Sequence, residues 1–217
     1  MKNLTLTTAA LALMASGAMA QDLRIALQSD ADILDPDQSR TFVGRIIYTA
    51  LCDKLVDITP DLEIIPQLAT AWTVAEDGMS IDMTVREDVV FHDGTAFNAQ
   101  AVADNITRSQ TMDGSMRKSE LASIASVDVT GDYTLTLNLT GPDATVIAQL
   151  ADRAGMMVSP TAAAAMGDDF GLAPVCSGPF AFEERVAQDK IVLKKFADYW
   201  NADEIHFDSV TYLPIPD

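Results

Sequence analysis

Positive charge, histidine and cysteine are all scarce in this chain. Lys and Arg number 14 against 32 Asp and Glu, a formal net charge of −18 over 217 residues. Nucleic-acid binding needs clustered Lys and Arg on phosphates, so this balance excludes it. Docking on anionic lipid heads is excluded on the same ground. Two cysteines and two histidines leave no room for a Cys/His zinc cluster. A Gly-rich phosphate loop, a G-x-S-x-G elbow and an H-E-x-x-H helix are also missing. The acids show no glycosidase-type pair and read as a solvated face. His92 and His206 are far apart and read as structural. There is no internal repeat, low-complexity tract or heptad run.

Hydrophobic residues make up 48% of the chain, which excludes wholesale disorder and suffices for one domain or two small ones. The first twenty residues carry an export signal. Lys2 gives a positive start, Leu4 to Ala15 is apolar, and Ser16-Gly17-Ala18-Met19-Ala20 supplies small residues for cleavage after Ala20. A run of about twelve residues is too short to cross about 30 Å of hydrocarbon, which weighs against an anchor. No later stretch reaches about 18 apolar residues. Export to an oxidising compartment leaves two readings for Cys52 and Cys176. They form a disulfide closing a long loop, or they are two separate buried thiols.

Along the exported chain, Leu23, Ile25 and Leu27 alternate as a strand, and Asp35-Pro36 marks a turn. The spacing of Val43, Ile46, Ile47 and Leu51 predicts a helix over 41–55. Residues 57–66 read as a loop and 67–71 as a helical turn. Trp72 to Val85 reads as a hairpin turning at Gly78. Asn98 caps a helix bearing Val102 and Ile106. Val127 and Val129 lie in one strand, Leu135, Leu137 and Leu139 in the next. Residues 143–150 read as a helix, 156–158 as a buried strand, and 160–166 as a helix started by Pro160. Phe180 to Phe182 pairs with Ile191 to Leu193, and Val210 to Leu213 forms a last strand. The mixture fits α/β or α+β. Asn105-Ile106-Thr107 and Asn138-Leu139-Thr140 match the glycosylation sequon.

Several segments resemble the large extracytoplasmic solute-binding proteins of ATP-driven importers, the oligopeptide/dipeptide/nickel family. They are Ile33-Leu34-Asp35-Pro36, Tyr48-Thr49-Ala50-Leu51, Ile65-Pro66-Gln67-Leu68-Ala69-Thr70-Ala71-Trp72 and Val85 to Thr95. Ser177-Gly178-Pro179-Phe180, Lys190-Ile191-Val192-Leu193 and Asp198-Tyr199-Trp200 follow in order. The resemblance implies a two-lobed binding-protein fold with an extra domain. Residues 22–56 and 172–217 would be part of lobe I, and 57–171 the inserted domain. The opposing lobe is absent, so the resemblance implies an N-terminal fragment of a longer protein. It further implies capture of a peptide or similar solute in the periplasm and delivery to permease subunits of an ABC transporter. The protein would act as a monomer, without a cofactor and without catalysis. Arg40, Thr41 and Phe42 align with ligand-touching residues, and Ser177-Gly178 should lie near the lobe junction. An exported chaperone or interaction module is the alternative, and a secreted hydrolase a more remote one.

Overall fold

The computed structural model describes residues 21–215, so the export-signal reading of residues 1–20 lies outside the described residues. The alternating apolar residues after residue 21 form β1 (Asp22–Leu27). It runs parallel to the last strand, β10 (Ser209–Pro214), with Asp22 opposite Ser209 and Leu27 opposite Pro214. β9 (Lys190–Lys195) and β8 (Phe180–Val186) extend this sheet antiparallel in the order β1-β10-β9-β8. Both ends of the described chain therefore share one sheet. Helix α1 (Phe42–Leu51) packs Val43, Ile47, Tyr48 and Leu51 into the same core as Leu193, Val210 and Tyr212.

A second sheet, antiparallel throughout, has the order β4-β5-β7-β6. Its members are β4 (Ala69–Val74), β5 (Ser80–Val85), β6 (Ile124–Gly131) and β7 (Thr134–Leu139). Ile81, Met83 and Val85 bury one face of β5, as alternation requires, and Gly78 takes φ 69° in the turn before it. Helix α2 (Ala99–Thr111) starts where Asn98 accepts the Ala101 N–H at 2.9 Å. It packs Val102 and Ile106 into a core with Leu135 and Leu137. The cores do not strictly follow chain segments. Leu55 and Val56 join the core of the second sheet, whereas Met156, Val158 and Phe170 join that of the first.

Five local expectations are corrected. The helix expected over 41–55 ends at Leu51, because Cys52 is extended and the Leu51 carbonyl accepts the Gly178 N–H at 2.8 Å. Residues 57–66 are not a plain loop: β2 (Val56–Ile58) pairs antiparallel with β3 (Ile64–Pro66). The expected helical turn at 67–71 runs instead into β4, which pairs with β5. Residues 156–158 are buried but make only single bridges, Met156 to Lys54 and Val158 to Cys176. Helix α3 (Val146–Gln149) is shorter than expected, and α4 (Pro160–Met166) begins at Pro160 after the Ser159 cap. Asn105 of the first sequon is buried. Its amide donates to the Ala101 and Val158 carbonyls and its oxygen accepts the Val158 N–H.

A disulfide inside the first core and two side-chain ties stand where the cores meet. Cys52 and Cys176 are disulfide-bonded, with Cα atoms 4.9 Å apart. His92 Nδ1 accepts the Cys176 N–H at 3.2 Å while Nε2 donates to the Gly178 carbonyl at 2.9 Å, which fixes its tautomer. Asp53 is buried and accepts from Trp200 Nε1 at 2.7 Å, Tyr199 OH at 3.3 Å and Gln67 Nε2 at 3.2 Å. The Arg86 guanidinium lies 3.5 Å over the Trp200 ring.

Burial lifts the Asp53 carboxyl from 3.8 to about 6, against the donors that favour its charge. The folded state thus holds this proton more tightly than the unfolded chain. Its stabilising effect is complete below about pH 4 and is lost as pH rises through about 6, at a cost of about 3 kcal/mol. Denaturant titrations of the parent and Asp53→Asn between about pH 4 and 7 should show the parent losing stability relative to the variant by that amount. The disulfide closes a 124-residue separation, so its reduction should cost roughly 4–5 kcal/mol of stability. Alkylation without reduction, read by mass spectrometry, should label neither cysteine.

Candidate functional site

The segment between β1 and α1 carries three of the sequence-predicted ligand contacts, and one carboxylate organises it. Asp32 Oδ1 accepts from Ser39 Oγ at 2.9 Å and Thr41 Oγ1 at 3.0 Å, and Oδ2 accepts the Arg40 N–H at 2.8 Å. Partial burial works against the Asp32 charge, yet the Arg40 amide and the two hydroxyls hold its carboxyl below the usual range. Thr41 has a double task, because the same Oγ1 accepts the Gly44 N–H at 3.1 Å and caps α1. A Cβ on Gly44 would lie 2.5 Å from Ser39 Oγ, so the small residue permits this close approach.

Beneath this segment the turn at Asp35-Pro36 is buried and pinned to α2. Arg108 Nη2 donates to Asp35 Oδ2 at 2.7 Å, Arg108 Nη1 pairs with Asp37, and Ser109 Oγ donates to Asp37 Oδ1 at 2.6 Å. Burial and the neighbouring Asp35 push the Asp37 carboxyl up, although Arg108 and Ser109 oppose the shift. Arg153 Nη1 donates to the carbonyls of Ser39 at 3.2 Å and Thr41 at 3.4 Å. Tyr48 OH donates to the Ile33 carbonyl. A loop so heavily tied at its backbone presents its outward side chains rigidly. Those are Arg40, which is exposed, and Phe42, which is 65% exposed. A groove of about 290 Å³ runs along the flank of α1 between Phe42, Arg45, Ile46 and Thr49.

Ser177 and Gly178 lie elsewhere. Ser177 is fully buried and its hydroxyl donates to the Met157 carbonyl at 3.1 Å. Gly178 packs against the C-terminal end of α1, where a Cβ would come within 2.6 Å of the Leu51 carbonyl. Arg40, Thr41 and Phe42 stand at the opposite end of that helix, about 13 Å away at 1.5 Å per residue. The structure therefore brings Arg40, Thr41 and Phe42 together and leaves Ser177 and Gly178 apart from them. Sequence reasoning missed Asp32, Arg108 and Arg153. Only the closeness of Asp32 to the Asp35-Pro36 turn hinted at any of them.

The family model described as bacterial extracellular solute-binding proteins, family 5 Middle, matches residues 63–217. The glutathione-binding protein GsiB of Salmonella typhi is 33% identical over 199 residues, covering 91% of this chain and 39% of its own length. GsiB of Escherichia coli (strain K12) is 31% identical over 210 residues, 96% of this chain and 41% of its own. Among solved structures, the PBP AgaA in complex with agropinic acid superposes with a TM-score of 0.83 at 28% identity. That match covers 88% of this chain and 39% of AgaA, which comes from A. tumefaciens R10. A dipeptide binding protein from Pseudoalteromonas sp. SM9913, in complex with Met-Leu, has the same fold, with a TM-score of 0.84 at 23% identity. It is covered to 44%, and 91% of this chain is matched. The chain thus spans about two fifths of the length of the curated relatives it matches. Fold and sequence together place this chain in the family of bacterial extracellular solute-binding proteins, family 5.

Proposed function

We propose that the whole protein captures a small solute or peptide in the periplasm and delivers it to the permease of an ABC importer. The observation that carries this reading is the rigid Asp32-tied segment that holds Arg40 and Phe42 out from the fold beside an open groove. A solute site needs a few polar groups held in place on a partly apolar wall, and this segment supplies both. The relatives' names add that proteins of this kind bind glutathione and agropinic acid.

In this reading residues 22–56 and 172–217 contribute to lobe I, residues 57–171 form the inserted domain, and an opposing lobe closes over the wall. Closure by a hinge is the motion such binding proteins use. Contacts made only in the closed form set the population shift. Arg40 would pair with an anionic group of the solute, Phe42 would cover an apolar part, and Thr41 would hold both in register. Ser177 and Gly178 would brace the far end of α1. The residues serve binding rather than turnover, and the protein acts as a monomer. The export signal of residues 1–20 and the Cys52–Cys176 bond both suit an oxidising compartment.

Calorimetric titration of the full gene product with glutathione, agropinic acid and Met-Leu should give saturable binding to at least one of them. In the Arg40→Ala variant that affinity should fall by ~1–3 kcal/mol, as expected for a lost charge-assisted bond. An unchanged dissociation constant would remove Arg40 from the site, and no binding across the panel would sink the transport reading. The Asp32→Ala variant frees the Arg40 amide, so hydrogen exchange there should accelerate on the order of tenfold, the equivalent of one net hydrogen bond.

A further inference from the structure

The β8–β9 hairpin breaks its own alternation. Phe182 stands opposite Leu193 and Glu184 opposite Val192, so Glu183 is an extra residue, a β-bulge in β8. In a regular strand Glu184 and Val186 would share the inward face of Phe182. The bulge shifts that pattern by one residue. Arg185 now stands opposite Ile191, which is 1% exposed and belongs to the first core, while Val186 is turned out to 40% exposure. A cation takes an inward position and an apolar side chain faces water, the reverse of what burial favours.

Two more unfavourable features sit beside it. Arg185 Nε is buried without a hydrogen-bond partner. Gln188, in the turn to β9, adopts φ 63°, where a side chain crowds the backbone. All of them serve one contact, a grip on the loop after β1. Arg185 Nη2 donates to Asp30 Oδ2 at 3.1 Å and to the Ala31 carbonyl. The Gln188 N–H donates to the same Asp30 oxygen at 3.1 Å, and Asp30 Oδ1 accepts the Ala31 N–H at 2.8 Å. The buried Ala31 is thus held at both its amide and its carbonyl. The next residue is Asp32, whose carboxylate ties Ser39, Arg40 and Thr41.

We propose that Arg185 is a positioning residue for solute binding: through Asp30 and Ala31 it fixes the backbone from which Asp32 places Arg40 and Phe42. The bulge at Glu183 delivers the guanidinium to that task. A recognition group is only as well placed as the residues that support it, so loosening Arg185 loosens the segment it underpins. The assignment deepens the solute-binding reading and rests on it for its biological meaning, since it makes affinity depend on a hairpin remote in sequence from Arg40.

The full gene product carrying Arg185→Met tests this, because the methionine keeps an apolar stem and removes the donors. Hydrogen exchange at the Ala31 and Arg40 amides should accelerate at least about tenfold, while the Met83 and Leu137 amides of the second core keep the parent rate. The member of the panel of glutathione, agropinic acid and Met-Leu that binds the parent should bind the variant about fivefold or more weakly, the equivalent of one net hydrogen bond. Arg185→Lys returns a charged donor and should recover a large part of both effects. Asp30→Asn weakens the other end of the pair and should move the same amides and the same affinity in the same direction; it decides the matter if Arg185→Met does not fold. Exchange that speeds up equally in both cores, or a lysine variant no better than the methionine one, makes Arg185 a general stabiliser and overturns the proposal. Parent affinity in a variant whose Arg40 amide exchanges fast overturns the proposal and keeps the transport reading. Fast local exchange in a protein that binds no member of the panel keeps the clamp on the loop and sinks the transport reading, and with it the role in binding.

Discussion

A half-buried guanidinium sets the register between the two cores of this structure. Arg108, on the helix of one core, grips Asp35 and Asp37 on the turn that leads to the helix of the other. Three charges taken out of water are tolerable only when each is paired and its remaining hydrogen-bonding capacity is met. Here Asp35 Oδ1 also accepts the Asp37 N–H, Ser109 takes a second oxygen of Asp37, and the guanidinium lies beside the Phe170 ring. Removing one member would strand the others in a medium that does not solvate them. This makes the cluster a locator: it sets where the Asp32-tied segment sits relative to α2.

The segment that bears Arg40 and Phe42 inherits that precision in stages. Arg108 places the turn, Asp32 folds the following residues back on themselves, and Thr41 converts the end of that fold into the start of α1. Arg153 then reaches across from the short turn after α3 to hold the Ser39 and Thr41 carbonyls. At the far end of α1 the disulfide, His92 and Gly178 form an equally dense knot around Leu51 and Cys52. The helix is therefore fixed at both ends, while its groove-facing flank, with Phe42 and Thr49, is left open. Rigid support beneath an open face suits recognition, because little ordering remains to be done when a ligand arrives.

Where local pattern and tertiary demand agreed, the elements could be read in advance. Alternation at Ile81, Met83 and Val85, the Asn98 cap and the glycine at residue 78 each carry their own physical reason, and each appears in the fold. Where a segment is too short to show a period, reading failed. Residues 67–71 look locally like a helical turn, yet β5 offers unpaired backbone groups beside them and pairing wins. The end of α1 was likewise invisible, because no glycine or proline stops it. The stop comes from Cys176 and Gly178, more than 120 residues away.

The sequence by itself determined the acidic, apolar-rich character of the chain, most of its strands and the turn chemistry between them, since these depend on neighbours within a few residues. Its ordered run of motifs was also enough to mark the family resemblance. Only the tertiary structure decided which charges meet. Asp35 and Arg108 are 73 residues apart, and Ser39 and Arg153 are separated by 114. Nothing in local spacing encodes such pairs, because an ion pair needs a distance and a dry environment, and both arise only when the cores close around it.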